Sequence, residues 1–189
     1  MNKSIVFGFL FTVLLFKAGF HTEIAVAQTS NPSRQDETVS PGDFKTEFVF
    51  EAKVKIAGMI MVGESKRGTR RVIPITGGTF EGPDIKGEVL PGGEDWQLVR
   101  PDGDTELYAR YLLKTNDGHV IQVINQVIIH MPEEGEKGGP YIKSVLDFEA
   151  PNNSPYEHLN HAIFLGTLKM PALKPGEDPY VIIGVYKVL

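Results

Sequence analysis

From residue 45 onwards, apolar and polar residues alternate along most of the chain. In residues 45–56, charged side chains separate a row of apolar ones made up of Phe48, Phe50, Ala52, Val54 and Ile56. A period of two is typical of a β-strand with one buried and one solvated face. The same pattern predicts seven further strands, at residues 71–76, 95–99, 105–115, 119–129, 141–148, 162–168 and 180–188.

Tight turns rich in glycine, proline, asparagine and aspartate separate these predicted strands. The Asp117-Gly118 pair, between two long runs, is the strongest hairpin signal. Apart from the N-terminal segment, only residues 155–160 indicate a short helical turn. About eight strands joined in this way predict an all-β fold, either a sandwich or a barrel. A single antiparallel up-and-down barrel is favoured because closure removes exposed strand edges.

Residues 77–96 contain six glycines and two prolines, which raises the question of a phosphate-binding loop. Phosphate-binding and dinucleotide-binding loops have a fixed glycine spacing followed by a helix. This stretch has neither feature. We therefore interpret its glycines as sites where a strand bends or where another backbone approaches closely.

The N-terminal segment predicts export. Lys3 precedes an apolar run at residues 5–16, and Ala25-Val26-Ala27 has the small-residue pattern of a cleavage site. The predicted organisation is a signal peptide at 1–27, a flexible lead at 28–44 and the barrel at 45–189, in a periplasmic or extracellular protein. The alternative is an uncleaved amphipathic anchor; after cleavage no stable membrane insertion is expected.

Composition narrows the classes of partner. The net charge of −5 argues against nucleic acid, which requires concentrated lysine and arginine. The one basic cluster, at residues 66–71, is interpreted as a solvated turn. The chain has no cysteine, which excludes a disulfide and a thiol nucleophile.

Two long segments carry a family resemblance. They are "RRVIPITGGTFEGPDIKGEVLPGGEDWQLVRPDG" and "ELYARYLLKTNDGHVI", followed by a weaker echo in "FEAPNNSPYEHLNHAIFLGT". Together they resemble the DUF3237 family, also called UPF0311, from about Phe48 to the C-terminus. The resemblance implies a lipocalin-like β-barrel and no assigned biochemical activity.

This chain departs from the family pattern at several positions. Family members usually have Ala-Asp-Trp where Glu94, Asp95 and Trp96 stand here. They also tend to carry an acidic residue in place of Tyr108 and a glycine in place of Val127. We expect the last two departures to touch the functional site.

Polar residues on predicted inward faces are the candidate site residues. Asn125 interrupts an apolar row, and an amide buried without partners costs about 1–3 kcal/mol. It is either tied to a neighbouring strand or contacts a ligand. Arg110 is either a solvated cation or the lumenal partner of Asp95, because an arginine–carboxylate pair suits recognition of a polar group.

Two classes of function remain open. The first is a container for a small, partly apolar molecule, with Trp96 as a wall and Asp95, Arg110, Asn125 and Asn160 as orienting polar groups. The second is a lumenal enzyme for isomerisation or elimination, with Asp95 or Glu106 as base. Glu133, Glu134 and Glu136, with glycines nearby, predict an exposed mobile loop over one barrel end that could act as a lid.

Other site classes are not predicted. His158 and His161 stand three apart after Glu157, but no third metal ligand has a useful spacing. We predict no metal and no cofactor. An outer-membrane barrel is disfavoured because charged residues fill one face of the first strand. The sequence leaves the identity of the ligand and the oligomeric state open.

Overall fold

The computed structural model describes residues 44–133 and 137–189. The predictions made for residues 1–43 and for Glu134 and Glu136 lie outside these ranges. Within them the chain forms ten strands and one five-residue 3₁₀ helix at Glu157–His161. The strands are β1 (Thr46–Ile56), β2 (Ile60–Ser65), β3 (Gly68–Glu81), β4 (Lys86–Val89), β5 (Gly93–Val99), β6 (Thr105–Thr115), β7 (Val120–His130), β8 (Tyr141–Glu149), β9 (Phe164–Lys169) and β10 (Tyr180–Val188).

The strands close into an antiparallel barrel. β1 pairs with β10 on one side and with β3 on the other, so the sheet has no break between its first and last strands. β1 and β2 follow one another along β3, and β4 and β5 share the place between β3 and β6. The ten strands therefore occupy eight positions around the barrel. The predicted all-β barrel is confirmed.

The alternating pattern of the sequence did not predict two of the strands, β2 and β4. β2 begins with the consecutive apolar residues Ile60, Met61 and Val62, which do not alternate with polar ones. β4 is four residues long and lies inside the glycine-rich stretch. Both are short segments that share a position in the barrel with a longer strand, β2 with β1 and β4 with β5.

The glycines of residues 77–96 allow close approach between strands. Gly78 has a φ of 140°, and a Cβ atom there would lie 2.1 Å from the carbonyl oxygen of Lys53 on β1. At Gly82 a Cβ atom would lie 1.8 Å from the carbonyl oxygen of Val49. A side chain at either place would force β1 and β3 apart, so these glycines are needed for closure.

Aromatic side chains fill one end of the barrel interior. The rings of Phe50 and Phe80 lie 5.3 Å apart, and those of Phe148 and Phe164 lie 4.8 Å apart. Phe50 also contacts Phe148, at 5.9 Å between ring centroids. All four side chains are almost fully buried. No helix in the described ranges is long and apolar enough to cross a membrane.

Candidate functional site

The other end of the barrel encloses a cavity of about 240 Å³. Most of its wall is aliphatic and comes from β1, β3, β6, β7, β9 and β10, with Ile73, Leu107 and Val127 as examples. Five polar residues also contribute to the lining. They are Arg71, Asp95, Gln97, Tyr111 and Asn125.

Strand register places Asp95 and Asn125 in one row across three strands. Asp95 of β5 stands opposite Ala109 of β6, and Ala109 stands opposite Asn125 of β7. Directly opposed residues of an antiparallel pair project from the same face of the sheet. Because alanine is the residue between them, the carboxyl and amide groups are separated by a side chain of only one carbon.

A chain of hydrogen bonds holds the carboxyl group of Asp95 from the side. Nε of Arg71 donates to Oε1 of Gln97 at 2.7 Å, and Nε2 of Gln97 donates to Oδ2 of Asp95 at 2.7 Å. Arg71 and Gln97 are opposed residues of β3 and β5. Asp95 lies two residues before Gln97 and therefore projects from the same face of β5.

Three of the cavity-lining residues carry a buried polar atom without a hydrogen-bond partner among the described residues. These atoms are Oδ1 of Asp95, the hydroxyl of Tyr111 and Oδ1 of Asn125. A buried polar group left unpaired costs about 1–3 kcal/mol. Three such groups around one cavity are the pattern expected of a site that is completed by a polar occupant.

Burial raises the pKa of two of these groups. It raises the pKa of the Asp95 carboxyl above its usual range, although the hydrogen bond from Gln97, the charge of Arg71 and the nearby backbone N–H of Tyr108 oppose this. Burial also raises the pKa of the Tyr111 hydroxyl, and the nearby charge of Asp95 adds to the effect. The Asp95 carboxyl therefore keeps its proton to a higher pH than an ordinary aspartate does, which suits it to proton exchange with an occupant of the cavity.

Gly93 makes room for Tyr111. A Cβ atom at position 93 would lie 2.5 Å from Cβ of Tyr111 and 2.7 Å from the carbonyl oxygen of Arg110. The end of the glycine-rich stretch thus has a role at the site, since any larger residue would displace the tyrosine.

The structure corrects the predicted place of Arg110 and Glu106. Residues 107, 109, 111 and 113 of β6 point inward, so the even-numbered residues project outward. Arg110 donates from Nε and Nη2 to Oε1 of Gln122, at 2.8 and 2.6 Å, on the outer surface. Glu106 accepts a hydrogen bond from Arg100 there, at 3.0 Å. The predicted Asp95–Arg110 pair is wrong, and neither Arg110 nor Glu106 lines the cavity.

Trp96 and Asn160 also lie away from the cavity. Trp96 follows Asp95 in an extended strand, so when one faces inward the other must face outward. The Trp96 side chain is 44% exposed, and its Nε1 donates to Glu94 at 2.9 Å. Asn160, in the 3₁₀ helix, exchanges two hydrogen bonds with the backbone of Ala150 at 2.7 and 2.9 Å. Its amide supports the backbone at this point.

Sequence reasoning missed Arg71, Gln97 and Tyr111. The alternation of β6 left open which of its two rows of side chains faces inward, so Tyr111 was not considered as a site residue. Gln97 could have been found because it lies two residues after Asp95 on the same face. Arg71 was interpreted as part of a solvated turn, and only the pairing of β3 with β5 reveals its partner.

Comparison with known proteins identifies the family. The family described as "Protein of unknown function (DUF3237)" matches residues 44–188. A UPF0311 protein of Rhodopseudomonas palustris is 35% identical over 155 residues, covering 77% of this chain and 97% of that protein. The chain belongs to the DUF3237 family.

A solved structure of a family relative agrees with the fold. A protein from Acinetobacter baumannii described as β-barrel-like superimposes with a TM-score of 0.68 at 32% identity. The alignment covers 80% of this chain and 99% of that one. A more distant relative, named "Hydroalkoxylation enzyme phnH" from Penicillium herquei, is 27% identical over 121 residues, covering 64% of this chain and 72% of that protein.

Of the two DUF3237 departures expected at the site, only one reaches it. Val127, where the resemblance leads us to expect a glycine, lines the cavity. Tyr108 is 44% exposed on the outer face of β6.

Proposed function

We propose that the cavity binds a small, mostly apolar molecule that carries a hydroxyl group. The observation that supports this most strongly is the set of three polar atoms, on Asp95, Tyr111 and Asn125, that have no partner among the described residues and lie in a mostly aliphatic wall. Ligand sites typically combine an apolar wall with a few placed polar groups. A hydroxyl group both donates and accepts, so one such group can satisfy more than one of these atoms.

Each polar residue has a distinct role in this proposal. Oδ1 of Asn125 accepts a hydrogen bond from the ligand, and the Tyr111 hydroxyl donates one. Asp95 exchanges a proton with the bound molecule because burial raises the pKa of its carboxyl. Arg110 and Glu106 have no part in binding, since both lie on the outer surface.

Binding can be tested with two aromatic probes of similar size, 2-naphthol and 2-methylnaphthalene. We expect the protein to bind 2-naphthol at least about tenfold more tightly, because only the hydroxyl satisfies the buried polar atoms; tenfold corresponds to about 1.4 kcal/mol. Fluorescence titration of the parent and of Asn125→Leu measures this preference, which should shrink in the variant. Equal affinities for the two probes in the parent, or no saturable binding of either, would contradict the proposal.

A second candidate function is acid–base catalysis in the same cavity. It is favoured by the relative named a hydroalkoxylation enzyme together with the raised pKa of the Asp95 carboxyl. Hydroalkoxylation adds an O–H group across a C=C bond. Protonated Asp95 would donate its proton to one alkene carbon, the hydroxyl oxygen would bond to the other, and the hydroxyl proton would return to the carboxylate.

This candidate can be tested with 2-(3-methylbut-2-enyl)phenol in D₂O. Cyclisation yields 2,2-dimethylchroman with one deuterium on the carbon that accepts the proton. The parent should form this product faster than buffer alone, and Asp95→Asn should not. Mass spectrometry measures the rate at which the deuterated product forms. If the parent protein forms it no faster than buffer alone, catalysis is contradicted, and the binding proposal is judged by its own test.

We also propose that the protein is exported. The support is the apolar run at residues 5–16 followed by Ala25-Val26-Ala27. N-terminal sequencing of the mature protein from a native source should begin at Gln28. Recovery of the soluble protein with Met1 in place would overturn this proposal.

A further inference from the structure

The series of hydrogen bonds from Arg71 through Gln97 to Asp95 has a fixed donor-to-acceptor order, and Arg71 determines that order. An arginine guanidinium has donors and no acceptor. The Gln97 atom that Nε of Arg71 contacts at 2.7 Å must therefore be the amide oxygen. This assignment leaves the NH₂ group of Gln97 for Asp95, where it donates to Oδ2 at 2.7 Å.

Because of this donor-to-acceptor order, the two oxygens of the Asp95 carboxyl differ in their hydrogen bonding. Oδ2 accepts the N–H of Gln97, whereas Oδ1 is buried and has no partner in residues 44–133 or 137–189. A carboxyl oxygen that carries a proton is a poorer acceptor than a bare one. The protonated carboxyl is therefore most stable with its hydrogen on Oδ1 and its Oδ2 free to accept.

We propose that Arg71 and Gln97 are positioning residues that place the exchangeable proton of Asp95 on Oδ1. This rests on the proposed function, in which Asp95 exchanges a proton with the ligand. Arg71 orients the Gln97 amide. The amide N–H of Gln97 then donates to Oδ2 and so disfavours a proton on that oxygen. The proton is thus held on the one carboxyl oxygen that has no protein partner and is available to a cavity occupant.

The geometry lets Arg71 act through Gln97, in addition to the direct effect of its charge on the carboxylate. Without the guanidinium, the Gln97 amide can turn over and present its oxygen to Asp95, which would then favour a proton on Oδ2. A simple attraction between the charge of Arg71 and the carboxylate would instead operate whether or not Gln97 is present. The two explanations therefore differ in whether substitutions at the two positions are additive.

The test is a ¹³C NMR titration of the Asp95 carboxyl carbon in the full ligand-free chain, with Asp95→Asn used to assign the resonance. Arg71→Met and Gln97→Leu should each raise the titration midpoint, because each removes a group that stabilises the carboxylate. Arg71→Met should have a much smaller effect when Gln97→Leu is already present. Arg71→Lys, which keeps a charged donor, should restore part of the parent midpoint.

Arg110→Met is the matched control, since it removes an arginine from the outer surface of the neighbouring strand. It should leave the midpoint unchanged. Additive shifts from Arg71→Met and Gln97→Leu would overturn the proposal, as would an unchanged midpoint in both. If Gln97→Leu does not fold, Gln97→Met takes its place in the same comparison.

The titration needs no ligand, so its outcome is separable from that of the proposed function. The pH dependence of 2-naphthol affinity adds a second readout. Its midpoint should follow the Asp95 midpoint from variant to variant. Non-additive NMR shifts without any 2-naphthol binding would uphold the role of Arg71 and Gln97 and count against the ligand class. Normal binding with additive shifts would do the reverse.

Discussion

The two ends of the barrel interior are built by the same alternating strands but have opposite physical characters. At one end four phenylalanine rings pack in a connected series and fill the interior. At the other end the corresponding positions include Ala109, Asp95 and Asn125 around a cavity of about 240 Å³. The filled end is organised for stability, whereas the cavity end retains unpaired polar atoms that lower stability.

This contrast shows that alternation determines which side chains face inward, while their size and polarity determine what the interior can do. A small residue between two polar ones leaves space and places hydrogen-bonding groups beside it. Natural proteins commonly retain such unfavourable arrangements where function requires them. The largest effects on stability should therefore come from the filled end, and the largest effects on binding from the cavity end.

Phe148→Ala should have the largest effect on stability. Its ring contacts both Phe50 and Phe164, and truncation of a buried phenylalanine costs about 3–5 kcal/mol of unfolding free energy. Denaturant unfolding measures this loss. A cost below about 1 kcal/mol would show that the phenylalanine end is not the more tightly packed part of the interior.

Ala109→Leu and Ala52→Leu compare the same substitution at the two ends. Ala52 is fully buried opposite Phe80, so leucine there should overpack and cost about 1–3 kcal/mol. Ala109 lines the cavity, so leucine can extend into open space and should cost less than about 1 kcal/mol while abolishing 2-naphthol binding. Thermal unfolding and probe titration measure both. If the two substitutions lower the unfolding free energy equally, the two ends of the barrel interior do not differ in packing as described.

Asp95→Asn should change how stability depends on pH. Since the folded pKa of Asp95 is raised, the folded chain binds more protons than the unfolded chain between the usual pKa and the folded one. The stability contributed by this group is full below the usual pKa and is lost as pH rises through the folded pKa. Asp95→Asn lacks this loss, so its melting temperature should rise relative to that of the parent as pH increases from about 4, the usual aspartate pKa, through the folded pKa, by about 2–4 °C per kcal/mol. A constant difference across this range would show that the carboxyl is not perturbed.

Arg110→Met should have the smallest effect. The guanidinium lies on the outer surface and binds Gln122, and surface substitutions of this kind usually change stability by less than about 0.5 kcal/mol. Probe affinity should not change. A loss of 2-naphthol binding in Arg110→Met, with melting temperature unchanged, would mean that the site extends beyond the cavity described above.

Much of the fold could be predicted from sequence because alternation is a local property. The strand at residues 105–115 was predicted with the bounds that the structure has, and Asn125 was placed on the inward face. The same alternation also implied that Asp95 and Trp96 face opposite ways, but both were assigned to the lumen because the tryptophan suggested an aromatic wall. The alternation was correct at these two positions, whereas the expectation that Trp96 forms an aromatic wall of the lumen was wrong.

The partners of Asp95 could not be predicted in the same way because they depend on strand register. Arg71 lies 26 residues before Gln97 in the sequence and meets it only through the pairing of β3 with β5. No local pattern specifies which residue of a distant strand stands opposite. The sequence therefore favoured Arg110 as a partner for the carboxylate, whereas the structure pairs Gln97 with it and places Arg71 behind Gln97.

The most direct test of the central claim is a crystal structure of the protein with 2-naphthol. We predict one molecule in the cavity, with its ring against the aliphatic wall and its hydroxyl within hydrogen-bond distance of at least two of Oδ1 of Asp95, the hydroxyl of Tyr111 and Oδ1 of Asn125. Electron density for the probe only on the outer surface, or in the cavity with its hydroxyl turned away from all three atoms, would contradict the account.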